Sequence, residues 1–267
     1  MADADPLIKN NVTVTGKLDA DRTMVFLHGF GTDQSVWGQI APAFAADFRL
    51  VLLDHVGAGR SVPEAFAQHR YLNLSGYAND VLAICAALQL RDAVLVGHSM
   101  GAMVGVLAAI QQATCFSKLV LIGASPRYQN DEGYHGGFSK EDLAEVYSAI
   151  VRNFALWVDG FAPRMVGAGH APGITEALAA ALKSIPPKKA LTVACSMFQS
   201  DHRADLVKVT QPTLLIHCSD DAAVPMTVAH YLNQHIRGSV LKVIPSSGHL
   251  PHLTEPDAVL AAMRDFV

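Results

Sequence analysis

Charge is what this sequence has least of. Only 16% of its 267 residues are Asp, Glu, Lys or Arg, and the formal net charge is −4. Without a basic surplus there is no electrostatic footprint for nucleic acid or for an anionic lipid surface, so neither is expected as a partner. Long apolar runs are missing too. Half the chain is hydrophobic, yet no stretch approaches the roughly 18 consecutive apolar residues of a membrane helix. Cysteine is sparse and scattered: Cys85, Cys115, Cys195 and Cys218 all sit in apolar surroundings. They read as buried thiols of a cytoplasmic protein and not as a disulfide framework. The acidic start, Met1-Ala-Asp-Ala-Asp-Pro6, has neither the basic region nor the apolar core of a secretory signal. No internal repeat or low-complexity tract interrupts the chain.

What is present centres on Ala93-Val-Leu-Val-Gly-His-Ser-Met-Gly-Ala-Met-Val-Gly105. A run suited to a buried strand enters Gly-x-Ser-x-Gly and leaves through a helix-compatible run ending near Gln112. That context turns a common Gly/Ser turn into a nucleophile elbow, which holds a serine in a strained strand-to-helix turn at the top of an α/β sheet. Gly97 and Gly101 are read as steric necessities, because side chains there would meet the neighbouring strand and helix.

Strands are expected at Val12–Thr15, Met24–Leu27, Leu50–Leu53, the elbow strand, Lys118–Ile122, Thr213–Cys218 and Val240–Ile244. Helices are expected at Trp37–Ala45 (with Pro42 either near its start or marking a break), Tyr77–Leu90, after the elbow, at Thr227–His235 and at Asp257–Val267. Alternation of this kind implies an α/β fold with a mostly parallel, doubly wound sheet. Between about Ser125 and Ser200 helical runs replace the alternation, at Lys140–Phe161, Thr175–Ser184 and Pro187–Phe198. The expected organisation is a core of residues 1–124 and 200–267 with a helical cap, residues 125–199, over the sheet's C-terminal edge. Gly57-Ala-Gly59 after a strand hints at a dinucleotide loop, but position 62 is Val where the fingerprint needs Gly.

A serine hydroxyl is a poor nucleophile until a base takes its proton and an acid orients that base. The acid should follow a late strand, where Ser219-Asp-Asp-Ala-Ala-Val-Pro225 offers two candidates. Asp221 is preferred for its place four residues before the proline, and Asp220 reads as an exposed turn residue. The base should lie beyond the last strand, in Ser246-Ser-Gly-His-Leu-Pro-His252. His249, after a glycine, is the candidate. His252 makes a His-x-x-His spacing without an acidic partner, which suits a surface or structural histidine better than a metal ligand. The oxyanion hole needs two backbone N–H groups. Met100, after the nucleophile, supplies one, and the His28-Gly-Phe-Gly31 turn supplies the other through Phe30. His98 reads as a pocket or core residue. No cofactor and no metal is called for. A carboxylate or a cysteine at the elbow would indicate dehalogenase, epoxide hydrolase or dienelactone hydrolase chemistry. Serine points to acyl transfer to water.

The cap segment holds eight of the chain's nineteen aromatics in under a third of its length. Its basic and acidic residues cancel, seven against seven. A neutral, ring-rich cap favours a small, uncharged, apolar ligand. Phe138, Trp157, Phe161 and Phe198 lie on the stretches that best fit a pocket wall.

Several longer blocks are more specific than the elbow: His28-Gly-Phe-Gly-Thr-Asp-Gln-Ser-Val-Trp37, Asp54-His-Val-Gly-Ala-Gly-Arg-Ser61, Ser125-Pro-Arg-Tyr128, Gly136-Gly-Phe138, Phe198-Gln-Ser-Asp201 and Gly248-His-Leu-Pro251. Together they resemble the RsbQ-type α/β hydrolases, a family that also includes the plant karrikin and strigolactone receptors. The resemblance implies a four-helix, V-shaped cap and a Ser99–Asp221–His249 triad. It also implies a pocket walled by Phe30, Tyr128, Phe138, Trp157, Phe161 and Phe198, which join His98, read above as a pocket or core residue, as seven expected wall residues. Plant receptors look like Gly-His-Ser-Val-Ser at the elbow, whereas Gly97-His-Ser-Met-Gly101 resembles the bacterial members. Two functions follow: an esterase or lactonase for a small hydrophobic substrate, or a signalling protein that engages a partner through the same site. For RsbQ-type members the implied partner is a phosphatase of a general stress response, and the implied ligand a butenolide or related lactone.

Overall fold

The elbow strand is the centre of the sheet, and its sequence explains why. Ala93–His98 (β4) is buried at every position, as a strand covered on both faces requires. In the computed structural model, which describes residues 5–267, it lies fourth of seven strands in the order β1-β3-β2-β4-β5-β6-β7. The residues Met1–Ala4, most of the segment read above for a secretory signal, lie outside the described residues. The other strands are Thr13–Gly16 (β1), Thr23–Leu27 (β2), Arg49–Leu52 (β3), Phe116–Ile122 (β5), Thr213–Asp220 (β6) and Val240–Ser247 (β7). Only β1 runs antiparallel, paired to β3, and every other neighbouring pair is parallel.

Helices cover both faces. The short α1 (Pro6–Lys9) is pinned to α2 (Ser75–Ala87) where the Lys9 ammonium meets the buried Asp80 carboxylate. Asp80 also accepts a hydrogen bond from the Tyr71 hydroxyl, which satisfies its second oxygen. On the same face lie α3 (Met100–Gln111) and α8 (Met226–His235), packed with Val25, Leu27 and Leu95. The opposite face buries Met24, Phe26, Val94 and Val96 against Trp37, Phe44 and the Val259 and Met263 side chains of α10 (Pro256–Arg264). Alternate residues of β2 and β4 thus feed two cores, as period-two side chains must. A single turn, α9 (Pro251–Thr254), precedes α10.

Four helices separate β5 from β6: α4 (Lys140–Arg152), α5 (Phe154–Val166), α6 (Pro172–Ser184) and α7 (Pro187–Phe198). They associate as α4 with α7 and α5 with α6, joined where α4 meets α5.

Three expectations are corrected. Lys140–Phe161 is two helices, because Asn153 turns extended (φ −158°, ψ 90°) and its side chain accepts from the Leu156 N–H, capping the second. Trp37–Ala45 is not a helix but two short 3₁₀ turns, Gln34–Trp37 and Ala41–Phe44. Pro42 has no N–H to donate back across Gly38, so an α ladder cannot form there. Cys195 is only half-buried, unlike Cys85, Cys115 and Cys218.

The core is unusual in holding neutral imidazoles. His28, His55, His98, His217 and His252 are all buried. Burial pushes each below the ordinary histidine value, and His252 falls to about 3. His252, expected at the surface or in a structural place, is structural: its ring packs between Trp37 and His98, 4.9 and 4.4 Å away by centroids. Unfolding releases these rings to titrate near 6.5, so below that pH the unfolded chain binds protons that the folded chain refuses. Stability is therefore complete above about pH 6.5 and falls as the pH drops, by about 1.4 kcal/mol per pH unit for each ring held neutral. Urea midpoints should drop steeply from neutral pH to a mildly acidic buffer. Equal midpoints, or a higher one in acid, would show that the rings are accommodated as cations.

Candidate active site

Parallel strands deliver their C-terminal ends to one edge of the sheet, where α/β folds assemble their sites. Ser99 follows β4 directly. Its φ of 51° is left-handed, a region that a serine occupies only under constraint. The constraint is close packing on both sides. A Cβ on Gly97 would stand 2.6 Å from the Ala102 Cα, and one on Gly101 would stand 2.4 Å from the His28 carbonyl oxygen. The Ser99 N–H donates to the Ile122 carbonyl at 2.8 Å, tying the turn to β5. Ser99 occupies the N-cap position of α3 without using its side chain as a cap, so the hydroxyl is free for another partner.

That partner is His249, whose Nε2 lies 2.8 Å from the Ser99 Oγ. Its Nδ1 lies 2.7 Å from Asp221 Oδ2. The other Asp221 oxygen accepts from the backbone N–H groups of Ala223 and Val224, at 2.8 and 3.0 Å. Asp221 stands just past β6, after a register shift between Cys218 and Asp220, and its side chain is almost wholly enclosed. Asp220 remains exposed at the strand end, where its carbonyl accepts from the Gly248 N–H. The three candidate residues for the triad are therefore brought together and Asp220 is not.

The loop carrying His249 is held at both its backbone groups. Its N–H donates to the Met165 carbonyl at 2.7 Å, on the last turn of α5. Its carbonyl accepts from His98 Nε2 at 2.8 Å. A carbonyl cannot donate, so His98 carries its proton on Nε2, and burial keeps the ring neutral. A second buried histidine does the same for the acid: His217 Nε2 donates to the Val224 carbonyl at 2.7 Å. Sequence reasoning missed His217. The signal for it is a lone polar residue, four before Asp221, inside the otherwise apolar run of β6.

The hydroxyl faces a narrow chamber of about 30 Å³ lined by Phe30, His98, Tyr128, Phe138, Phe161 and Phe198, six of the seven expected wall residues. Met165, Leu178 and Met197, from the four-helix segment, together with Ala223 and Leu250, complete the wall and were not expected. The Tyr128 hydroxyl comes within 3.3 Å of Ser99 Oγ, so this ring contributes a polar group as well as a wall. Trp157, the seventh, stands farther out. It does not line the chamber but an outer groove of about 710 Å³, and it stacks on Phe161 at 4.6 Å. The groove shares Phe138, Phe161, Met165 and Phe198 with the chamber, so the two spaces adjoin. Phe30 lies in the turn before Gly31, and Met100 opens α3, where its N–H has no acceptor within the helix.

Comparison with known proteins fits this geometry. The family model described as "Alpha/beta hydrolase family" matches residues 24–262. The chain is 45% identical over 241 residues to a probable esterase of Oryza sativa subsp. japonica, covering 90% of this chain and 89% of the relative. It is 41% identical over 255 residues to a karrikin insensitive 2 receptor of Petunia hybrida, covering 95% and 94%. Among solved structures, a hydrolase from Oleispira antarctica superposes with a TM-score of 0.95 at 31% identity, covering 98% of this chain and 96% of the other. From the seven-stranded sheet, the elbow and these relatives together, the chain belongs to the alpha/beta hydrolase family.

Proposed function

We propose that the protein is a serine hydrolase that cleaves a small hydrophobic ester or lactone through Ser99, His249 and Asp221. The single observation that carries this reading is the unbroken relay from Ser99 Oγ through the His249 ring to Asp221, with distances of 2.8 and 2.7 Å, at the floor of an apolar chamber. Ser99 Oγ attacks the ester carbonyl as His249 Nε2 takes the hydroxyl proton, and Asp221 fixes the ring and offsets the charge it gains. The N–H groups of Phe30 and Met100 hold the developing oxyanion. Collapse of the intermediate breaks the C–O bond, and His249 returns the proton to the departing alkoxide. A water molecule, deprotonated by His249, then attacks the acyl-enzyme, and the serine leaves with that proton. The aromatic walls exclude bulk water, which strengthens each of these polar contacts. Residues 125–199 act as the cap that selects the substrate.

A second reading has support from the receptors among the relatives and from the Met165 bond to His249. In it, the same triad binds or processes a lactone, and the cap then presents itself to a signalling partner, a phosphatase in the RsbQ-type case. Turnover separates the two. Many rapid cycles on short-chain nitrophenyl esters favour the enzyme, whereas a single-turnover burst with ligand-dependent partner capture favours signalling.

Ser99→Ala should lower kcat by several orders of magnitude, since the nucleophile and base act as a unit. A loss below about tenfold would remove the triad from both readings. Asp221→Asn should cost roughly a thousandfold or more while Asp220→Asn changes kcat little. The reverse ranking would reassign the acid.

His98 serves as a positioning residue, since its Nε2–H fixes the loop that bears the base. His98→Leu should reduce kcat by roughly 10–100-fold with KM nearly constant, as small misplacements of a catalytic group do. His98→Gln, which keeps a donor, should recover most of that loss. Equal kcat values for the Leu and Gln variants would show that the bond to the His249 carbonyl is not what matters.

A further inference from the structure

The chamber around Ser99 is too small for a substrate. Its 30 Å³ is far below the few hundred Å³ that ligand sites usually enclose, whereas the adjoining groove offers about 710 Å³. A substrate whose reacting carbonyl enters the chamber must lay its body in the adjoining groove between α4 and α5. The chemistry of the groove therefore sets the substrate class.

Its walls are apolar, with Leu156 67% exposed on one rim. Among the described residues its only charges are two guanidinium groups, Arg152 at the end of α4 and Arg164 in the last turn of α5. No carboxylate of those residues lines it. The neutral balance of the four-helix segment conceals this, because its acids are placed elsewhere. Asp159 pairs with Lys183, Asp131 with Arg127 and Arg203, and Asp142 closes the capping box of α4 with Ser139. Neither Arg152 nor Arg164 has an ion-pair partner among the described residues. Two unpaired cations on the rim of an apolar groove attract an anion at the far end of an apolar body, and a guanidinium suits a carboxylate's two oxygens.

We propose that the groove is an anion subsite, and that the preferred substrates are amphipathic. These are esters whose reacting end is neutral and apolar and whose distal end carries a carboxylate held by Arg152 and Arg164. This rests on the Ser99 hydrolase reading for its chemistry, and it revises the expectation of a wholly uncharged ligand. The residues near Ser99 still select an uncharged group at the reacting carbon.

The test uses nitrophenyl monoesters of dicarboxylic acids of graded chain length, each beside the matched ester ending in a neutral primary amide. At one or more chain lengths the carboxylate should be preferred by about tenfold in kcat/KM, and added salt should shrink the preference. In a protein carrying Arg152→Gln and Arg164→Gln, checked for an unaltered thermal midpoint, the carboxylate-to-amide ratio should fall to about one. Arg152→Glu with Arg164→Glu should push it below one. Titration calorimetry on Ser99→Ala, with the same two compounds, measures the preference without turnover. If Ser99→Ala binds the carboxylate more tightly while neither ester is cleaved by the wild type, the hydrolase reading fails and the subsite stands. A ratio near one in the wild type at every chain length, or a preference that survives the glutamine pair, overturns the subsite.

Discussion

The site depends on the two hydrogen bonds that hold the backbone of His249. Its N–H goes up to the carbonyl of Met165 on α5, and its carbonyl goes down to His98, one residue before Ser99. A histidine on a loop after an edge strand has little else to fix it, since β7 is largely exposed. Loops are ordinarily the mobile parts of a fold. Here the loop is gripped from above by the inserted helices and from below by the central strand. Glycine at 248 makes the upper grip feasible, because a Cβ there would stand 2.1 Å from the Val166 carbonyl oxygen. The 2.8 Å contact between His249 Nε2 and Ser99 is a consequence of these two anchors.

The lower anchor has a thermodynamic side. A donor to the His249 carbonyl must be buried to reach it, and an imidazole in that place must stay neutral to be tolerated. Similar logic places His217 beneath the acid turn. The proposed base and acid near the sheet edge thus bring polar rings into an otherwise apolar interior, and the acid sensitivity expected of the fold follows from them. His28 and His55, whose rings stand 4.6 Å apart, extend the same polar layer toward Phe30.

How much of this was legible in the sequence depended on range. The elbow was readable because its requirements are local: an apolar strand, two glycines and a helix within about a dozen residues. The alternation of strands and helices gave the sheet, and chain order with a proline offset separated Asp221 from Asp220. Helix breaks were less readable. Asn153 lies in a run whose composition suits one long helix, and only its cap geometry reveals the break. Pro42 announced a disruption near Trp37 without disclosing that 3₁₀ turns replace the helix. The chamber was half-legible: rings stand out in a sequence, whereas Met165, Leu178 and Met197 look like ordinary buried apolar residues of helices. That Trp157 faces the outer groove and not the chamber could not be read, because helical spacing locates a side chain on a face but does not say which of two adjoining spaces that face meets. The groove's charge was hidden, since a summed charge cannot report which acids are already partnered.

Ser99 itself has a further consequence. A left-handed backbone at a residue with a Cβ stores strain, on the order of 1–3 kcal/mol in such cases. Glycine would adopt the same angles at no steric cost. On the proposed hydrolase reading, position 99 is one where folding and reactivity make opposed demands: the residue that would relax the turn is inert, and the residue that reacts keeps it tense. Drift toward greater robustness would run through this residue toward a well-folded pseudoenzyme, and the serine marks the limit to which this scaffold can be made comfortable while it still does chemistry.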